Sequence, residues 1–211
     1  MNILCFGDSN THGYNPIDES RYDENNRWPK ILQKLLTNDH YVIEEGLSGR
    51  TTVFDDPVNE GLSGIDYIIP CIKSHRFLDI VIVMLGTNDL KQRYGASASV
   101  ISLGLSRLVK KIISEKESFT KSEPNILIIT PPTIDANIKN VECYANMGEG
   151  CSEKSKQLAY YYEKVSQELG CMYMDASDYC EFSDVDYMHF DEENHHKLAK
   201  AIYESIIKKL G

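Results

Sequence analysis

The sequence ILCFGDSN at residues 3–10 sets the architecture that we expect for the whole chain. Its apolar run predicts a buried β-strand, and the glycine that follows leads into small polar residues. Ser9 is therefore presented at a strand end, where a hydroxyl can act as a nucleophile. The alternative is that Asp8, Ser9 or Asn10 only caps the next helix or closes a turn, which these residue types often do.

A second apolar run ends in the same way. Residues 81–89 have the sequence VIVMLGTND, which places Asn88 just after a strand and a glycine. Sites in open parallel sheets form beyond the carboxyl ends of the strands, so we expect Ser9 and Asn88 to lie near each other. Residues 44–52, EEGLSGRTT, follow a short apolar stretch and are expected to bring backbone N–H groups, including that of Gly49, to this edge.

The fourth informative segment is DYMH at residues 186–189. A serine hydroxyl is a weak nucleophile until a base takes its proton, and a carboxylate holds the base in the right tautomer. Asp186 can reach Nδ1 of His189 and leave Nε2 free for Ser9, with Asp184 as the alternative acid. The N–H groups of Ser9 and Gly49 and the amide of Asn88 would then stabilise the oxyanion; these three donors complete the predicted site.

These four segments together resemble the SGNH (GDSL-type) hydrolases, in the family's order and over nearly the whole chain. The resemblance implies that Ser9, Gly49, Asn88 and His189 correspond to the four residues for which the family is named. The segments at 3–9 and 44–52 are most similar to the small aryl esterases and acyltransferases. Two positions depart from the common pattern: Asn10 stands where many members have leucine, and Tyr187 where glycine is frequent. The bulk of Tyr187 is expected to disturb the contact between Asp186 and His189.

The order of apolar segments predicts an α/β fold. Short runs near 2–6, 41–45, 79–85, 125–130 and 171–174 have the character of buried parallel strands. Helical periodicity appears between them, near 26–36, 62–74, 97–117, 153–169 and 191–209. Alternating strands and helices imply a doubly wound sheet with right-handed crossovers. The family resemblance adds a three-layer α/β/α sandwich with five parallel strands in the flavodoxin-like order 2-1-3-4-5.

Composition favours one acidic enzyme domain spanning residues 1–211. The chain has 42% hydrophobic residues and no linker or repeat, and its 22 basic against 32 acidic residues give a net charge of −10. This charge argues against nucleic-acid and anionic-membrane partners. The N-terminus lacks the features of a signal peptide, and no apolar run is long enough for a membrane span. We therefore expect a cytoplasmic protein.

Nothing in the sequence calls for a metal or an organic cofactor. No cysteine pair has Cys-x-x-Cys spacing, and Cys143 and Cys151 are expected to be the exposed ones among the six. His195 and His196 are adjacent and face different directions on a helix, so both are expected at the surface. Arg50 either steers the substrate or pairs with Asp55 or Asp56, and the pairing is the preferred interpretation.

Two regions are candidates for shaping the substrate pocket. His12 and Tyr14 follow the nucleophile closely and either line the pocket or pack in an ordinary loop. The long segment 131–150 is expected to cover the active-site edge, narrowing it to small acyl groups, or to contact another subunit of a homo-oligomer.

We therefore predict a serine esterase that acts through an acyl-enzyme on acetyl-type esters of small alcohols or carbohydrates, with acyl transfer to alcohols as a secondary activity. A thioesterase or lysophospholipase-type lipase with the same triad is an alternative. A non-catalytic, flavodoxin-like ligand-binding module is another, because one fold hosts many functions.

Overall fold

The computed structural model describes residues 1–36, 39–121 and 123–210, with the side chains of 206–210 excluded. Within this described part, five parallel strands form one sheet in the order β2-β1-β3-β4-β5, as predicted. The strands are β1 (Asn2–Gly7), β2 (Tyr41–Gly46), β3 (Ile80–Met84), β4 (Asn125–Thr130) and β5 (Met172–Asp175).

The sheet forms the core because its central strands are apolar on both faces. Every residue of β3, sequence IVIVM, is buried, and so is β1 after its first residue. In the register of the sheet, Ile3 of β1 is paired with Val42 of β2 and with Ile80 of β3. Strands buried on both sides require a helical layer on each face, which accounts for the three-layer architecture.

The helices pack in two groups, α3 with α4 and α4 with α6 in one, and α2 with α7 in the other. Local signals set several helix ends: the hydroxyl of Ser97 accepts from the N–H of Val100 at the start of α4, and Gly170 ends α6. The helices are α1 (Ser9–His12), α2 (Trp28–Leu35), α3 (Gly64–Ser74), α4 (Ala98–Ser114), α5 (Tyr144–Met147), α6 (Cys151–Leu169) and α7 (Glu192–Leu210).

The five long helices and five strands lie where periodicity predicts them, with ends shifted by a few residues. The short helices α1 and α5 were not predicted, because one turn is too brief to show a period of 3.6 residues. Among the described helices, none has both the length and the apolar character needed to cross a membrane.

The segment 131–150 is ordered structure and not a plain loop. It contains a 3-10 turn at Ala136–Asn140 and helix α5. Ile134, Ile138 and Met147 are buried and join the hydrophobic core. The segment is therefore fixed to the body of the protein at three points.

Candidate active site

Ser9 is the first residue of α1 and lies directly beyond the carboxyl end of β1. The carboxylate of Asp8 caps this helix by accepting a hydrogen bond from the N–H of Asn10 at 3.0 Å. The segment thus does both things that its sequence allows: Asp8 caps the helix, and Ser9 is presented at the strand end. Ser9 is only 4% exposed.

The structure brings the predicted serine, histidine and aspartate into one hydrogen-bonded chain. Nε2 of His189 lies 2.9 Å from Oγ of Ser9, and Nδ1 of His189 lies 2.5 Å from Oδ2 of Asp186. Asp184, the alternative acid, is exposed and has no hydrogen bond or ion pair to His189 within the described residues. This geometry is that of a nucleophile, a base and the group that orients the base.

The carboxylate of Asp186 is held by its own chain. Its Oδ1 accepts the N–H groups of Met188 at 3.1 Å and His189 at 3.0 Å. Burial acts to raise the pKa of Asp186, but the hydrogen bond and charge of His189, together with these N–H groups, lower the pKa below its usual value. Asp186 therefore stays ionised beside the imidazole.

Tyr187 adopts a left-handed backbone conformation, with φ of 61°. Glycine takes this conformation without steric cost, which explains why it is frequent at this position in the family that the sequence resembles. The turn lets both N–H groups that follow it reach the Asp186 carboxylate. The expected disturbance by the tyrosine side chain is not observed, because the Asp186–His189 contact is intact.

Asn10 holds the histidine segment against the nucleophile helix. Its Nδ2 donates to the carbonyl of Met188 at 3.0 Å, and its Oδ1 accepts the N–H of Phe190 at 3.0 Å. The residues on both sides of His189 are thus tied to the residue after Ser9. Sequence reasoning did not find this role, and its one signal was a polar side chain where the family pattern has leucine.

The ring of Tyr14 packs against the imidazole of His189. Its ring centroid lies 4.4 Å from that of His189, at an interplanar angle of 43°. Tyr14 and Asp186 also line a cavity of about 470 Å³, whose other wall includes Glu142 and Cys143 of the segment 131–150. Tyr14 thus lines a cavity next to Asp186, while His12 does not line this cavity.

The three predicted oxyanion donors come from segments that meet at this sheet edge. Gly49 has φ of 87°, and a side chain there would come within 2.9 Å of Leu62. The Nδ2 of Asn88 donates to the carbonyl of Arg50 at 3.2 Å and lies 3.5 Å from Oδ2 of Asp8. The amide of Asn88 is thus placed between the Gly49 loop and the residue before Ser9.

Two buried carboxylates support the same edge. Burial raises the pKa of Asp8 to about 6, although the N–H of Asn10 and the charges of His189, Arg50 and Lys91 act in the opposite direction. Burial likewise raises the pKa of Asp89 to about 6, with Thr52 opposing it. The N–H of Thr52 donates to Oδ1 of Asp89 at 3.0 Å, which ties the Gly49 loop to the segment of Asn88.

Arg50 does not pair with Asp55 or Asp56, contrary to the sequence prediction. It is 3% exposed, and its Nη1 donates to the carbonyls of Gly7, at 2.9 Å, and Glu45. Asp56 instead accepts from Tyr94 at 2.7 Å and forms an ion pair with Arg93. The prediction failed because the arginine folds back onto the sheet, and sequence proximity carries no information on that direction.

One group of side chains in the described residues has metal-ligand character. Atoms of Glu45, Cys71 and His75 lie within 4.8 Å of one another. Nε2 of His75 is already hydrogen bonded to Glu45 at 2.8 Å. Burial raises the pKa of the Cys71 thiol to about 12, although the positive charge of Arg50 acts to lower this pKa. The hydrogen bond between His75 and Glu45 and the nearby positive charge of Arg50 suit a hydrogen-bonded network better than a cation site.

Two further surface predictions were each wrong for one of their two residues, His195 and Cys151. His195 is fully buried among Trp28, Tyr22 and Phe190, whereas His196 is exposed as expected. Cys151 is buried and Cys143 is half-buried, as is Cys171. In each case tertiary packing covers a residue whose local sequence is polar.

A parallel sheet in the order 2-1-3-4-5, with a serine–histidine–aspartate chain at its carboxyl edge, defines a hydrolase of the SGNH type, in which helices cover both faces of the sheet. The sequence profile of the family described as GDSL-like lipase/acylhydrolase matches residues 3–202. The chain belongs to this family, and it is an ester hydrolase.

Solved structures agree with this assignment. An aryl esterase from Mycobacterium smegmatis is 34% identical, with a TM-score of 0.92 and 98% of each chain covered. A carbohydrate acetylesterase from Sinorhizobium meliloti is 31% identical, with a TM-score of 0.90 and 99% of each chain covered. A putative arylesterase from Agrobacterium tumefaciens is 31% identical, with a TM-score of 0.85 and 98% of each chain covered. A comparison with the curated proteins found no match.

Proposed function

We propose that this protein hydrolyses short-chain carboxylic esters through a covalent acyl-enzyme on Ser9. The observation that carries the proposal is the continuous hydrogen-bonded chain from Oγ of Ser9 through His189 to Asp186, with contacts of 2.9 and 2.5 Å. No other group need approach for the proton to leave the serine.

In the first half-reaction, Nε2 of His189 takes the proton as Oγ of Ser9 attacks the ester carbonyl. Asp186 holds Nδ1–H and stabilises the imidazolium. The tetrahedral intermediate collapses when His189 gives the proton to the departing alcohol oxygen, which leaves the acyl group on Ser9. In the second half-reaction, water gives a proton to His189 as it attacks the acyl carbonyl, and the tetrahedral intermediate collapses when His189 returns that proton to Oγ of Ser9, which releases the acid.

The charge on the carbonyl oxygen is assigned to three donors: the N–H groups of Ser9 and Gly49 and the side-chain amide of Asn88. The Asn88 amide is held by the carbonyl of Arg50, so its position is set before substrate binds. Preorganised donors act on the transition state more than on the substrate, and losing one typically costs about 3 kcal/mol.

The alcohol side of the substrate is assigned to the cavity beside Tyr14 and Asp186. The leaving oxygen must reach Nε2 of His189, and this cavity of about 470 Å³ is lined by Asp186, which is bonded to His189, and by Tyr14, whose ring packs against the imidazole. Segment 131–150 forms one wall through residues 141–146, which supports its proposed part in limiting the substrate.

Small acyl groups, acetyl above all, on small alcohols or carbohydrates are the proposed substrates. The names of two similar structures, an aryl esterase and a carbohydrate acetylesterase, support this class. Transfer of the acyl group to an alcohol in place of water is proposed as a secondary activity. A homo-oligomeric assembly and a cytoplasmic location stay predictions of the sequence.

The test is a series of 4-nitrophenyl esters from acetyl to dodecanoyl, measured on wild type, Ser9→Ala, His189→Ala and Asp186→Asn. We expect the acetyl ester to be turned over fastest, Ser9→Ala and His189→Ala to lose about 10⁶-fold in kcat, and Asp186→Asn to lose about 10⁴-fold. Asp184→Asn is the matched control and should retain activity. Equal turnover by Ser9→Ala and wild type would refute the mechanism, and a preference for long acyl chains would refute the substrate class.

A further inference from the structure

Arg50 lies where three parts of the candidate site meet. Its guanidinium is buried, and Nη1 donates to the carbonyl of Gly7 at 2.9 Å and to that of Glu45. Gly7 is the last residue of β1 and precedes Asp8 and Ser9, while Glu45 lies next to the end of β2. One cation therefore joins the ends of two strands.

The plane of the guanidinium is fixed by two aromatic rings. The guanidinium carbon lies 4.2 Å from the ring centroid of Phe6 and 5.4 Å from that of Tyr67. Stacking of this kind suits arginine because its cation is flat and delocalised. The Arg50 side chain is thus held in one orientation, and its hydrogen bonds fix the ends of β1 and β2 relative to each other.

The main chain of Arg50 is bound to the groups that would hold the oxyanion. Its N–H donates to the carbonyl of Leu47 at 3.0 Å, which closes the turn containing Gly49. Its carbonyl accepts from Nδ2 of Asn88 at 3.2 Å. The residue therefore links the nucleophile strand, the Gly49 turn and the Asn88 amide in one rigid unit.

We propose that Arg50 is the positioning residue for the oxyanion donors, setting the N–H of Gly49 and the amide of Asn88 relative to Ser9. This inference rests on the proposed function, in which those donors stabilise the tetrahedral intermediate. Arg50 does not touch the substrate. Its effect is on kcat, because the donors bind the transition state more strongly than the ester.

The surroundings of Arg50 provide a way to restore a deleted side chain. A cavity of about 540 Å³ is lined by Arg50 together with Glu45 and Tyr67, and it is open to solvent. Truncation of Arg50 would enlarge this cavity, so a free guanidinium ion could enter and occupy the vacated place. Urea has a similar flat shape without the charge and serves as the comparison.

The experiment measures kcat and KM for 4-nitrophenyl acetate with wild type, Arg50→Ala and Arg50→Lys. We expect kcat to fall about 100-fold in Arg50→Ala, with KM changed less than about threefold. Arg50→Lys keeps the charge and most of the volume, but its ammonium cannot stack flat or hold both carbonyls in the same way. The kcat of this variant should therefore fall by about tenfold or more. If Arg50→Ala does not fold, Arg50→Lys carries the test.

Two further measurements separate positioning from a structural role. An aryl trifluoromethyl ketone forms an oxyanion on the serine, so its Ki should rise in proportion to the loss of kcat/KM in the Arg50 variants. Millimolar guanidinium should raise the kcat of Arg50→Ala at least tenfold, and urea should leave this kcat unchanged. An unchanged Ki, or equal effects of guanidinium and urea, would overturn the proposal.

Arg27→Gln is the matched control. Arg27 is also largely buried and bonds to β2, through Glu44 at 2.9 and 3.0 Å. We expect this variant to be less stable while keeping kcat within about twofold, because the side chain of Arg27 bonds to Glu44 and Tyr22 and not to Gly7, the turn at 47–50 or Asn88. Ser9→Ala distinguishes the two hypotheses: if it retains activity the proposed function fails, and if it is inactive while Arg50→Ala and Arg50→Lys keep wild-type kcat, only the inference on Arg50 fails.

Discussion

Asn10 brackets His189 through the main chain. Its side-chain amide donates to the carbonyl of the residue before the histidine and accepts from the N–H of the residue after it, both at 3.0 Å. Because Asn10 directly follows Ser9, Ser9 and His189 are linked by four atoms of one side chain as well as by their own contact. The positions of these two residues are thus coupled across 180 residues of sequence.

Asn10→Ala should lower both activity and stability. It leaves the Met188 carbonyl and the Phe190 N–H buried without partners, which costs roughly 1–3 kcal/mol for each group. The looser Ser9–His189 contact should reduce kcat by about tenfold to 100-fold. Ester kinetics and urea unfolding measure the two effects.

Asn10→Asp and Asn26→Ala complete that experiment. The aspartate keeps an acceptor for the Phe190 N–H but sets an oxygen against the Met188 carbonyl, so it should be at least as harmful as alanine. Asn26 bonds to Glu192 at an exposed position and should tolerate alanine. A wild-type kcat in Asn10→Ala would show that the bracket does not position His189.

Tyr187→Gly should be tolerated better than Tyr187→Ala, and Tyr187→Val least of all. A left-handed backbone conformation raises the free energy of an L-residue by roughly 1–2 kcal/mol. Glycine has no such strain, and a β-branched residue has the most. The N–H groups of Met188 and His189 reach Asp186 only through this turn. Stability in urea and kcat should therefore fall in the order glycine, alanine, valine.

The opposite order at position 187 would contradict this account. A result in which glycine is the most harmful would mean that the left-handed conformation of residue 187 is not a source of strain in the folded protein. The three variants have no hydroxyl or ring in common with tyrosine, so their ranking among themselves reports the backbone alone.

Much of the fold could be predicted from local patterns, because each strand is a short apolar run and each long helix has a clear periodicity. The serine, histidine and aspartate were also predicted, since each belongs to a compact motif with its own spacing. The direction of the Arg50 side chain and the partners of Asn10 were not, because both depend on residues far away in sequence. His195 was assigned wrongly for the same reason: its polar neighbours suggest a surface helix, and only tertiary packing shows that its face meets Trp28.

Cys143 should react slowly with alkylating agents although its side chain, beside the site, is only half-buried. Burial and the charge of Asp186 raise the pKa of its thiol to about 11, and its Sγ donates to the carbonyl of Asp186 at 3.3 Å. The thiolate is the reactive form, so the rate with iodoacetamide should rise about tenfold per pH unit between about pH 8 and pH 10. Mass spectrometry of the modified peptides measures it.

Modification of Cys143 should also inhibit ester hydrolysis, because the adduct would enter the cavity beside Tyr14 and Asp186. Cys143→Ser should keep activity within about twofold, since serine can donate to the same carbonyl. It should also resist inhibition, whereas Cys171→Ser should behave as wild type. Rapid inactivation of Cys143→Ser would place the sensitive residue elsewhere.

The buried His195 should make the protein less stable in acid. Burial lowers its pKa to about 3 from the ordinary 6.5, with smaller contributions from nearby cationic groups. In the unfolded chain His195 is therefore protonated below about pH 6.5, whereas in the folded protein it stays neutral down to about pH 3. The contribution of His195 to the free energy of unfolding is thus fully present above pH 6.5 and is lost as the pH falls. Between pH 7 and pH 5 the loss from this one group is about 2 kcal/mol.

The comparison of His195→Gln with His196→Gln isolates this effect. Asp8 and Asp89, with pKa values of about 6, favour the folded state as the pH falls over the same range, but they are common to all variants. Urea unfolding at the two pH values should therefore show a pH dependence that is shifted by about 2 kcal/mol in His195→Gln and unchanged in the exposed His196→Gln. Glutamine can still accept the N–H of Trp28, which Nδ1 of His195 receives at 3.4 Å. Parallel pH profiles for wild type and His195→Gln would mean that the imidazole is protonated, or solvated, inside the folded protein.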